Sequence, residues 1–297
     1  MDLSIVIPIY NEQESLCANL PSWVDYIKAN GWMLVLVNDG SKDNTREILD
    51  SIKKVDNIKV VHHKVNLGYG AALKSGLLAV TTEFAVTMDA DGQHSLSSID
   101  ALINAQMEND ADLVIGARVN SDRHSAVRAI GKKTIRFISR LLIPNRLSDL
   151  NSGMKLYRTA LAQKYLPLCP DTMAFSDVIT LSFLANRNLT IETPIEIHPR
   201  KSGKSTINLN TAFDTVMEII NIVMLFNPLR IFLPLSLIFF VAGLAWGIPI
   251  VIMGRGVSVG SMLALIFGGL CLLLGLIAEQ LSKIRRALLE NHKPDFL

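Results

Sequence analysis

Apolar and β-branched runs of strand length alternate with helical apolar spacing over the first 116 residues. Strands are predicted at 3–9, 33–37, 58–61, 84–88 and 112–116. Helices are predicted at 14–28, 68–80 and 96–108, and a further helix is predicted to begin after a cap at Asp43 or Asn44. This alternation is typical of an α/β fold in which helices flank both faces of a mostly parallel sheet. Beyond Gly116 the pattern is less regular, with a basic helix predicted at 125–142, a strand at 189–198 and an amphipathic interfacial helix at 213–226.

The C-terminal third carries two uncharged apolar runs, 231–253 and 257–278, joined by Gly254-Arg255-Gly256. Each run has about the 20 residues that a helix needs to cross a bilayer, so the pattern predicts a transmembrane hairpin. Two buried helices of a soluble protein are the alternative, which Pro234 and Pro249 inside the runs disfavour. The predicted organisation is an α/β domain over 1–210, the interfacial helix over 211–228, and the hairpin with a basic tail over 229–297.

Basic residues flank the hairpin unequally. Arg230 precedes the first run and Lys283, Arg285 and Arg286 follow the second, whereas the turn carries Arg255 alone. Since positive charge favours the cytoplasmic side, this predicts an integral protein of the inner or plasma membrane with its α/β domain and tail in the cytoplasm. Three cysteines without paired or metal-ligand spacing agree with a reducing compartment.

The overall charge balance is close to neutral, with 29 basic and 27 acidic residues and a net charge of +2. A general nucleic-acid binder is therefore not expected. Between Arg118 and Arg146, however, eight basic residues stand beside one acidic residue, Asp122. This local excess indicates an anionic partner. Small-residue positions at Gly268, Gly269 and Gly275 leave open an association of the hairpin with a second copy of the chain.

Two carboxylates follow the predicted strand 84–88, in the run Asp89-Ala90-Asp91-Gly92-Gln93-His94. In an extended chain Asp89 and Asp91 lie on one side, and Gln93 follows within reach. Oxygen ligands at this density suit Mg²⁺ or Mn²⁺ bound to a diphosphate. An ordinary capped turn is the alternative interpretation, because Asp and Gly are also common turn residues.

Polar residues also follow the other predicted parallel strands, at 8–12, 38–41 and 116–118. Open α/β sheets bind ligands at the carboxyl edge of their strands, where these segments meet the acidic run. A nucleotide needs an apolar or aromatic wall, carboxylates for its hydroxyl groups and a metal for its diphosphate, and this edge supplies all three. The sequence therefore predicts a nucleotide site here.

The motifs at these positions resemble those of inverting glycosyltransferases of family two, which have a GT-A (Rossmann-like) fold. The similar segments are Val6 to Glu12, Asn38 to Thr45, Asn66 to Gly70 and Asp89 to His94. Two further segments, Asp149 to Gly153 and Arg200 to Ser205, resemble the polyprenyl-phosphate branch, which includes dolichyl-phosphate mannose synthases and bactoprenol glucosyltransferases. The resemblance covers about the first two hundred residues, and the paired C-terminal runs fit the membrane-anchored members.

The resemblance implies transfer of one hexose, of the glucose or mannose type, from a UDP- or GDP-sugar to polyprenyl phosphate, with metal dependence. Its site residues fall into sets that share a ligand. The nucleotide-sugar would be held by Pro8, Tyr10, Glu12, Asp39, Asp89, Ala90 and Asp91, and Mg²⁺ or Mn²⁺ by Asp89, Asp91 and Gln93. The acceptor phosphate would be received by Arg118, Arg128 and Lys132, with Arg200 and Ser205 in a loop that closes over the site, Asp91 orienting the phosphate, and Asp177 as a further candidate.

A phosphate monoester is already about −1.5 to −2 charged at neutral pH, so the acceptor needs no dedicated base. We therefore expect direct displacement with inversion at the anomeric carbon. Two other functions compete with this one. A processive polysaccharide synthase is disfavoured because the Gln-x-x-Arg-Trp motif is absent. A non-catalytic membrane scaffold with a degenerate GT-A domain is disfavoured because Asp89, Asp91 and Gln93 are all present.

Overall fold

The structure is a computed structural model that describes residues 1–118, 147–196, 220 and 223–291. The predicted basic helix at 125–142 lies outside this part of the chain, as do most of the predicted interfacial helix and the candidate residues Arg128, Lys132, Arg200 and Ser205. Contacts divide the chain into two compact units, Met1–Ile207 and Asn208–Leu297.

The first unit alternates strands and helices as the apolar pattern predicts. Its first elements are β1 (Leu3–Ile9), α1 (Gln13–Asn30), β2 (Met33–Asn38), α2 (Thr45–Ile52), β3 (Ile58–His62), α3 (Tyr69–Leu78), β4 (Phe84–Thr87), α4 (Leu96–Asn109) and β5 (Leu113–Arg118). Its later elements are β6 (Lys155–Arg158), α5 (Thr159–Tyr165), a short 3₁₀ helix (Leu166–Leu168), α6 (Phe175–Ala185) and β7 (Thr190–Ile195).

One seven-stranded sheet, in the order β3-β2-β1-β4-β6-β5-β7, organises this unit. Its pairs are parallel except for β6, which runs antiparallel to both β4 and β5. All seven residues of β1 are buried, as expected for a central strand covered on both faces. The prediction of an α/β fold with a mostly parallel sheet and flanking helices is confirmed.

The region after β5 contains elements that the apolar pattern did not predict. Strand β6 has four residues and carries Lys155 and Arg158, so it lacks the continuous apolar run of the other inner strands. It is nevertheless an inner strand, because it lies between β4 and β5. Lys155 is fully buried, and Arg158 binds Glu83, Asp110 and Asp112 at the opposite end of the strand. Helices α5 and α6 were likewise not predicted.

The second unit contains α7 (Leu229–Ile252) and α8 (Val259–Asn291), both long and apolar enough to cross a membrane by length and composition. The predicted hairpin is confirmed, although α8 continues well past the expected end at residue 278. The hairpin is packed with small residues inside and large apolar residues outside. On α7 the buried positions are Ser236, Gly243 and Gly247, whereas Trp246 and Ile252 are exposed. This arrangement suits a lipid environment, where close approach of two backbones replaces hydrophobic burial.

Candidate active site

The loops that follow β1 and β2 interlock at the carboxyl edge of the sheet. Pro8 pairs with Val37 in the parallel ladder, and beyond it Asn11 adopts a left-handed backbone conformation with φ of 54°. The Asn11 side-chain oxygen accepts a hydrogen bond from the Lys42 amide at 2.8 Å, and the Asn11 amide donates to the Ser41 hydroxyl at 3.0 Å. These contacts leave Tyr10 exposed at this edge, as a base-stacking side chain requires.

Asp39 is buried beneath this edge and binds the loop that leads into α3. One of its oxygens accepts from the Leu67 amide and the other from the Gly68 amide, both at 2.9 Å. His63 approaches the first oxygen at 2.7 Å and also contacts Ser75 at 2.8 Å. A carboxylate has about four acceptor positions, and three of these are occupied by protein groups. Asp39 therefore fixes the loop before α3.

The acidic run forms a tight turn after β4, against the start of α1. The Ala90 carbonyl accepts a hydrogen bond from the Ser15 hydroxyl, and an Asp91 side-chain oxygen accepts from the Gln93 amide at 3.1 Å. Gly92 has a φ of 71° and lies so close to α1 that a Cβ there would meet the Asn19 side chain at 2.9 Å. A left-handed residue with no side chain is therefore required at this point.

Asp89 accepts a hydrogen bond from another segment of the chain. The Tyr69 hydroxyl donates to one oxygen at 2.9 Å, and the His94 ring nitrogen Nε2 lies 3.8 Å from the other. Burial raises the pKa of Asp89, but the nearby His94 and Tyr69 side chains and the charge of Arg118 outweigh it and hold that pKa below its usual value. Asp89 is thus a carboxylate at neutral pH.

Arg118, at the end of β5, forms a bidentate ion pair with Asp149. Its Nε and Nη2 donate to the two Asp149 oxygens at 2.6 and 2.7 Å. The hydrogen bonds to Asp149, together with the charges of Asp149 and Asp89, raise the pKa of Arg118 above its ordinary value despite burial. The two groups are linked by the loop that bears Asp149, because its Gly153 lies directly against Asp89.

The loop from Ser148 to Gly153 connects these two groups. At one end Asp149 holds Arg118, and at the other Gly153 lies against Asp89, where a Cβ would meet the carboxylate oxygen at 2.5 Å. Lys155 is buried behind the loop and donates to the carbonyls of Leu150 and Ser176. Burial lowers the pKa of Lys155 to about 8, although the charges of Asp177 and Asp149 oppose the shift.

The predicted metal ligands fit a hard divalent cation by their chemistry. Asp89, Asp91 and Gln93 offer carboxylate and amide oxygens within five residues. Within the described ranges, no three His, Cys, Asp or Glu side chains cluster into a complete metal site.

The amino end of α3 binds protein rather than leaving its amides open to a ligand. The amides of Gly70 and Ala71 both donate to the Asp171 carbonyl, at 2.9 and 3.3 Å. A Cβ at Gly70 would overlap the backbone of residues 170–172. Gly70 therefore serves close packing against residues 170–172, whereas Gly76 packs against Val6 and Val37 of the sheet.

Comparison with known proteins gives the family. Residues 4–166 match the family described as glycosyl transferase family 2, and residues 227–284 match the GtrB C-terminal hairpin. The first match covers more than half of the 297 residues. The chain belongs to glycosyl transferase family 2.

Relatives of this family 2 chain include lipid-phosphate glycosyltransferases. A dolichyl-phosphate beta-glucosyltransferase of Trichomonas vaginalis is 33% identical over 172 residues, which are 52% of each protein, so the chain matches about half the length of that relative. An undecaprenyl-phosphate 4-deoxy-4-formamido-L-arabinose transferase of Edwardsiella ictaluri is 25% identical over 297 residues, covering 95% of this chain and 89% of that one.

Among solved structures, a glucosyl-3-phosphoglycerate synthase from Mycobacterium tuberculosis, in complex with Mn²⁺, uridine diphosphate and phosphoglyceric acid, has the same fold. Its TM-score is 0.56 at 14% identity, over 75% of this chain and 78% of that one. At this identity the likeness concerns the fold alone.

Three residues around the candidate site carry contacts that sequence reasoning did not assign, namely Tyr69, Lys155 and Glu192. Tyr69 lies inside a segment similar to the family, so its conspicuous place beside Gly68 and Gly70 was an available signal. Lys155 and Glu192 gave no such signal, because an isolated lysine or glutamate in a strand usually faces solvent.

Proposed function

We propose that this protein is an inverting glycosyltransferase that moves a single hexose from a nucleotide-diphosphate sugar to polyprenyl phosphate at the cytoplasmic face of a membrane. The observation that carries the proposal is the pairing of an acidic turn with an arginine at one edge of the sheet. The loop 148–153 contacts both groups, Arg118 through the Asp149 carboxylate and Asp89 through Gly153. A diphosphate donor with its cation and a phosphate acceptor need these opposite charges side by side.

The nucleotide-sugar would bind over the interlocked loops after β1 and β2. Tyr10 is exposed there for a base, Pro8 supplies an apolar wall, and Glu12 and Asp39 supply carboxylates for hydroxyl or N–H groups. Asp89 and Ala90 would line the part of the site that holds the sugar. Both UDP and GDP carry hydroxyl and N–H groups that the carboxylates of Glu12 and Asp39 would accept from.

The acceptor phosphate would bind at Arg118, whose Nε and Nη2 face Asp149 and whose side chain is one-third exposed. Arg128, Lys132, Arg200 and Ser205 complete this proposed acceptor set. Since the phosphate monoester already carries negative charge, no side chain has to remove a proton from it. The protein has to hold the acceptor phosphate in line with the anomeric carbon, and Asp91 would orient the phosphate in that position.

Asp89, Asp91 and Gln93 would hold Mg²⁺ or Mn²⁺. When bound, the cation neutralises charge on the diphosphate leaving group. The carboxylate form of Asp89 suits this role, because its pKa lies below the usual value.

A transfer assay tests the proposal directly. Purified full-length protein in detergent is incubated with labelled UDP- or GDP-hexoses, undecaprenyl phosphate and Mg²⁺ or Mn²⁺, and the lipid product is extracted. We expect one hexose per lipid, and a loss of roughly 10²-fold or more in rate for Asp91→Asn. The matched control is Asp56→Asn, an exposed carboxylate on the segment before β3, which should keep full activity.

Three outcomes would contradict the proposal. Full activity of Asp91→Asn would remove the role of the acidic turn, and products of increasing sugar length would indicate a processive synthase. Absence of any transfer, together with absence of nucleotide binding by calorimetry, would favour a scaffold.

A further inference from the structure

The loop 148–153, which bears Asp149, is anchored by a glutamate from the edge strand β7. One side-chain oxygen of Glu192 accepts from the amides of Ser148 and Asp149, both at 2.7 Å. The other accepts from the Ser148 hydroxyl at 2.9 Å. Glu192 thus makes three hydrogen bonds to two consecutive residues that lie more than forty positions away in sequence.

The opposite side of the loop is anchored from the centre of the sheet. Thr87, at the end of β4, donates its hydroxyl to the Gly153 carbonyl at 2.9 Å. Lys155 donates to the Leu150 carbonyl at 2.9 Å from a fully buried position. The end at Gly153 is therefore tied to the strand that leads into the acidic turn. At the other end Glu192 holds the Asp149 backbone, while the Asp149 side chain accepts from the Arg118 side chain and from the Arg118 amide at 3.3 Å.

We propose that Glu192 is a positioning residue for acceptor binding, because it holds the Asp149 backbone and through Asp149 sets the orientation of the Arg118 guanidinium. The inference rests on the proposed function, in which Arg118 receives the acceptor phosphate. Glu192 itself touches neither substrate.

The geometry explains why such a residue is needed. A guanidinium has five N–H groups in a rigid fork, and the Nε edge of Arg118 is committed to Asp149. The direction in which the rest of the fork faces is therefore determined by where Asp149 lies. An arginine side chain is otherwise flexible, and fixing it in advance removes an entropic cost that the acceptor would have to meet on binding.

The same contacts could instead only stabilise the fold, and the two roles predict different effects of removing Glu192. Loss of a purely structural contact would weaken the use of the donor and of the acceptor alike. A positioning role affects the acceptor, because the donor-binding loops after β1 and β2 are held by their own contacts with Asn11 and Asp39.

The test uses full-length protein in detergent and compares Glu192→Ala with Glu192→Gln. For Glu192→Ala we expect kcat/KM for undecaprenyl phosphate to fall roughly ten- to a hundredfold. The dissociation constant of the nucleotide diphosphate, measured by calorimetry, should stay unchanged. Glu192→Gln keeps one oxygen for the two amides and should restore most of the acceptor kcat/KM. Glu108→Ala, an exposed glutamate on α4, is the control and should match the wild type in both measurements.

Each result bears on the inference. An unchanged acceptor kcat/KM in Glu192→Ala, with an active wild type, overturns it, and so does an equal weakening of donor and acceptor. If Glu192→Ala does not fold, Ser148→Ala removes one of the three hydrogen bonds, and wild-type acceptor kinetics in that variant would likewise overturn it. A wild type that transfers no sugar instead contradicts the proposed function itself.

Discussion

Two aspartates that follow the strands on either side of β1 show how the same residue type takes different roles. Asp39 is 3% exposed and has three protein donors, two of them backbone amides, so much of its hydrogen-bonding capacity fixes the loop before α3. Asp89 accepts from Tyr69 and faces Arg118, with a glycine beside it. Sequence motifs located both residues at the sheet edge, but only the contacts distinguish a carboxylate that fixes a loop from one placed among charges.

Gly153 gives the sharpest single-residue prediction. A methyl group in Gly153→Ala would lie 2.5 Å from an Asp89 oxygen, so the carboxylate must move away. We expect sugar transfer to fall roughly 10²-fold, as for other misplaced site groups. The free energy of unfolding should fall by only about 1–3 kcal/mol. Gly269→Ala, where nothing lies within 4 Å, is the control, and wild-type transfer by Gly153→Ala would show that Asp89 need not be held in place.

The ion pair between Asp149 and Arg118 should make the stability of the fold depend on pH in a specific way. Burial raises its pKa, but the hydrogen bonds and charge of Arg118 lower it below the usual value. The folded protein then binds fewer protons than the unfolded chain, so this contribution to stability is fully present above about pH 4, the ordinary Asp value, and is lost as pH falls through the lowered pKa. The thermal midpoint of wild type should therefore exceed that of Asp149→Asn at pH 7, and the gap should narrow towards pH 3. A gap independent of pH would contradict the pairing, and Asp56→Asn should show none.

At the scale of elements, the sequence located the parallel strands and the hairpin because each has one dominant apolar pattern. The strands β1, β2 and β4 are continuous apolar runs. Strand β6 escaped prediction because its four residues include Lys155, whose charge is accommodated by the carbonyls of Leu150 and Ser176 outside the strand. Hydrogen bonds of this kind depend on tertiary contacts, so a buried lysine produces no periodic pattern of apolar residues in the sequence.

The hairpin depends on small residues at the contact between α7 and α8. Gly243, Gly268 and Gly275 each lie against side chains or backbone of the opposite helix, and the Ser236 hydroxyl donates to the Gly268 carbonyl at 2.8 Å. Gly268 and Gly275, which the sequence offered as a surface for a second copy, are thus used within the hairpin. Gly269 has nothing within 4 Å.

A matched pair of glycines tests this packing. In Gly247→Leu the new side chain would overlap Ser261, so the two helices must separate. We expect a clear fall in the thermal midpoint in detergent and faster proteolysis near the turn, because overpacking costs about 1–3 kcal/mol or more. Gly269→Leu adds the same side chain on an open face and should behave like wild type. Equal behaviour of the two variants would show that the glycines do not determine helix contact.

At the scale of the whole molecule, the sequence predicted more of the architecture than of the site. The family 2 fold and the apolar hairpin follow from patterns that span many residues. The site depends on single contacts between distant segments, such as Arg118 with Asp149 and Glu192 with Ser148. Neither pairing follows from spacing, because charge alone does not say which partner a side chain meets.

The direction in which the molecule crosses the membrane can be tested with its own cysteines. Cys17 is exposed on α1, whereas Cys169 is buried and Cys271 lies within α8. Since Arg230, Lys283 and Arg285 flank the hairpin on the side opposite Arg255, we expect α1 to lie in the cytoplasm. An impermeant thiol reagent should therefore label Cys17 only after intact cells are permeabilised. In a Cys17→Ser background, Arg255→Cys places a thiol at the turn and should be labelled in intact cells. Labelling of Cys17 without permeabilisation, or protection of the turn cysteine, would put the catalytic domain on the other side and exclude a cytoplasmic nucleotide-sugar as its donor.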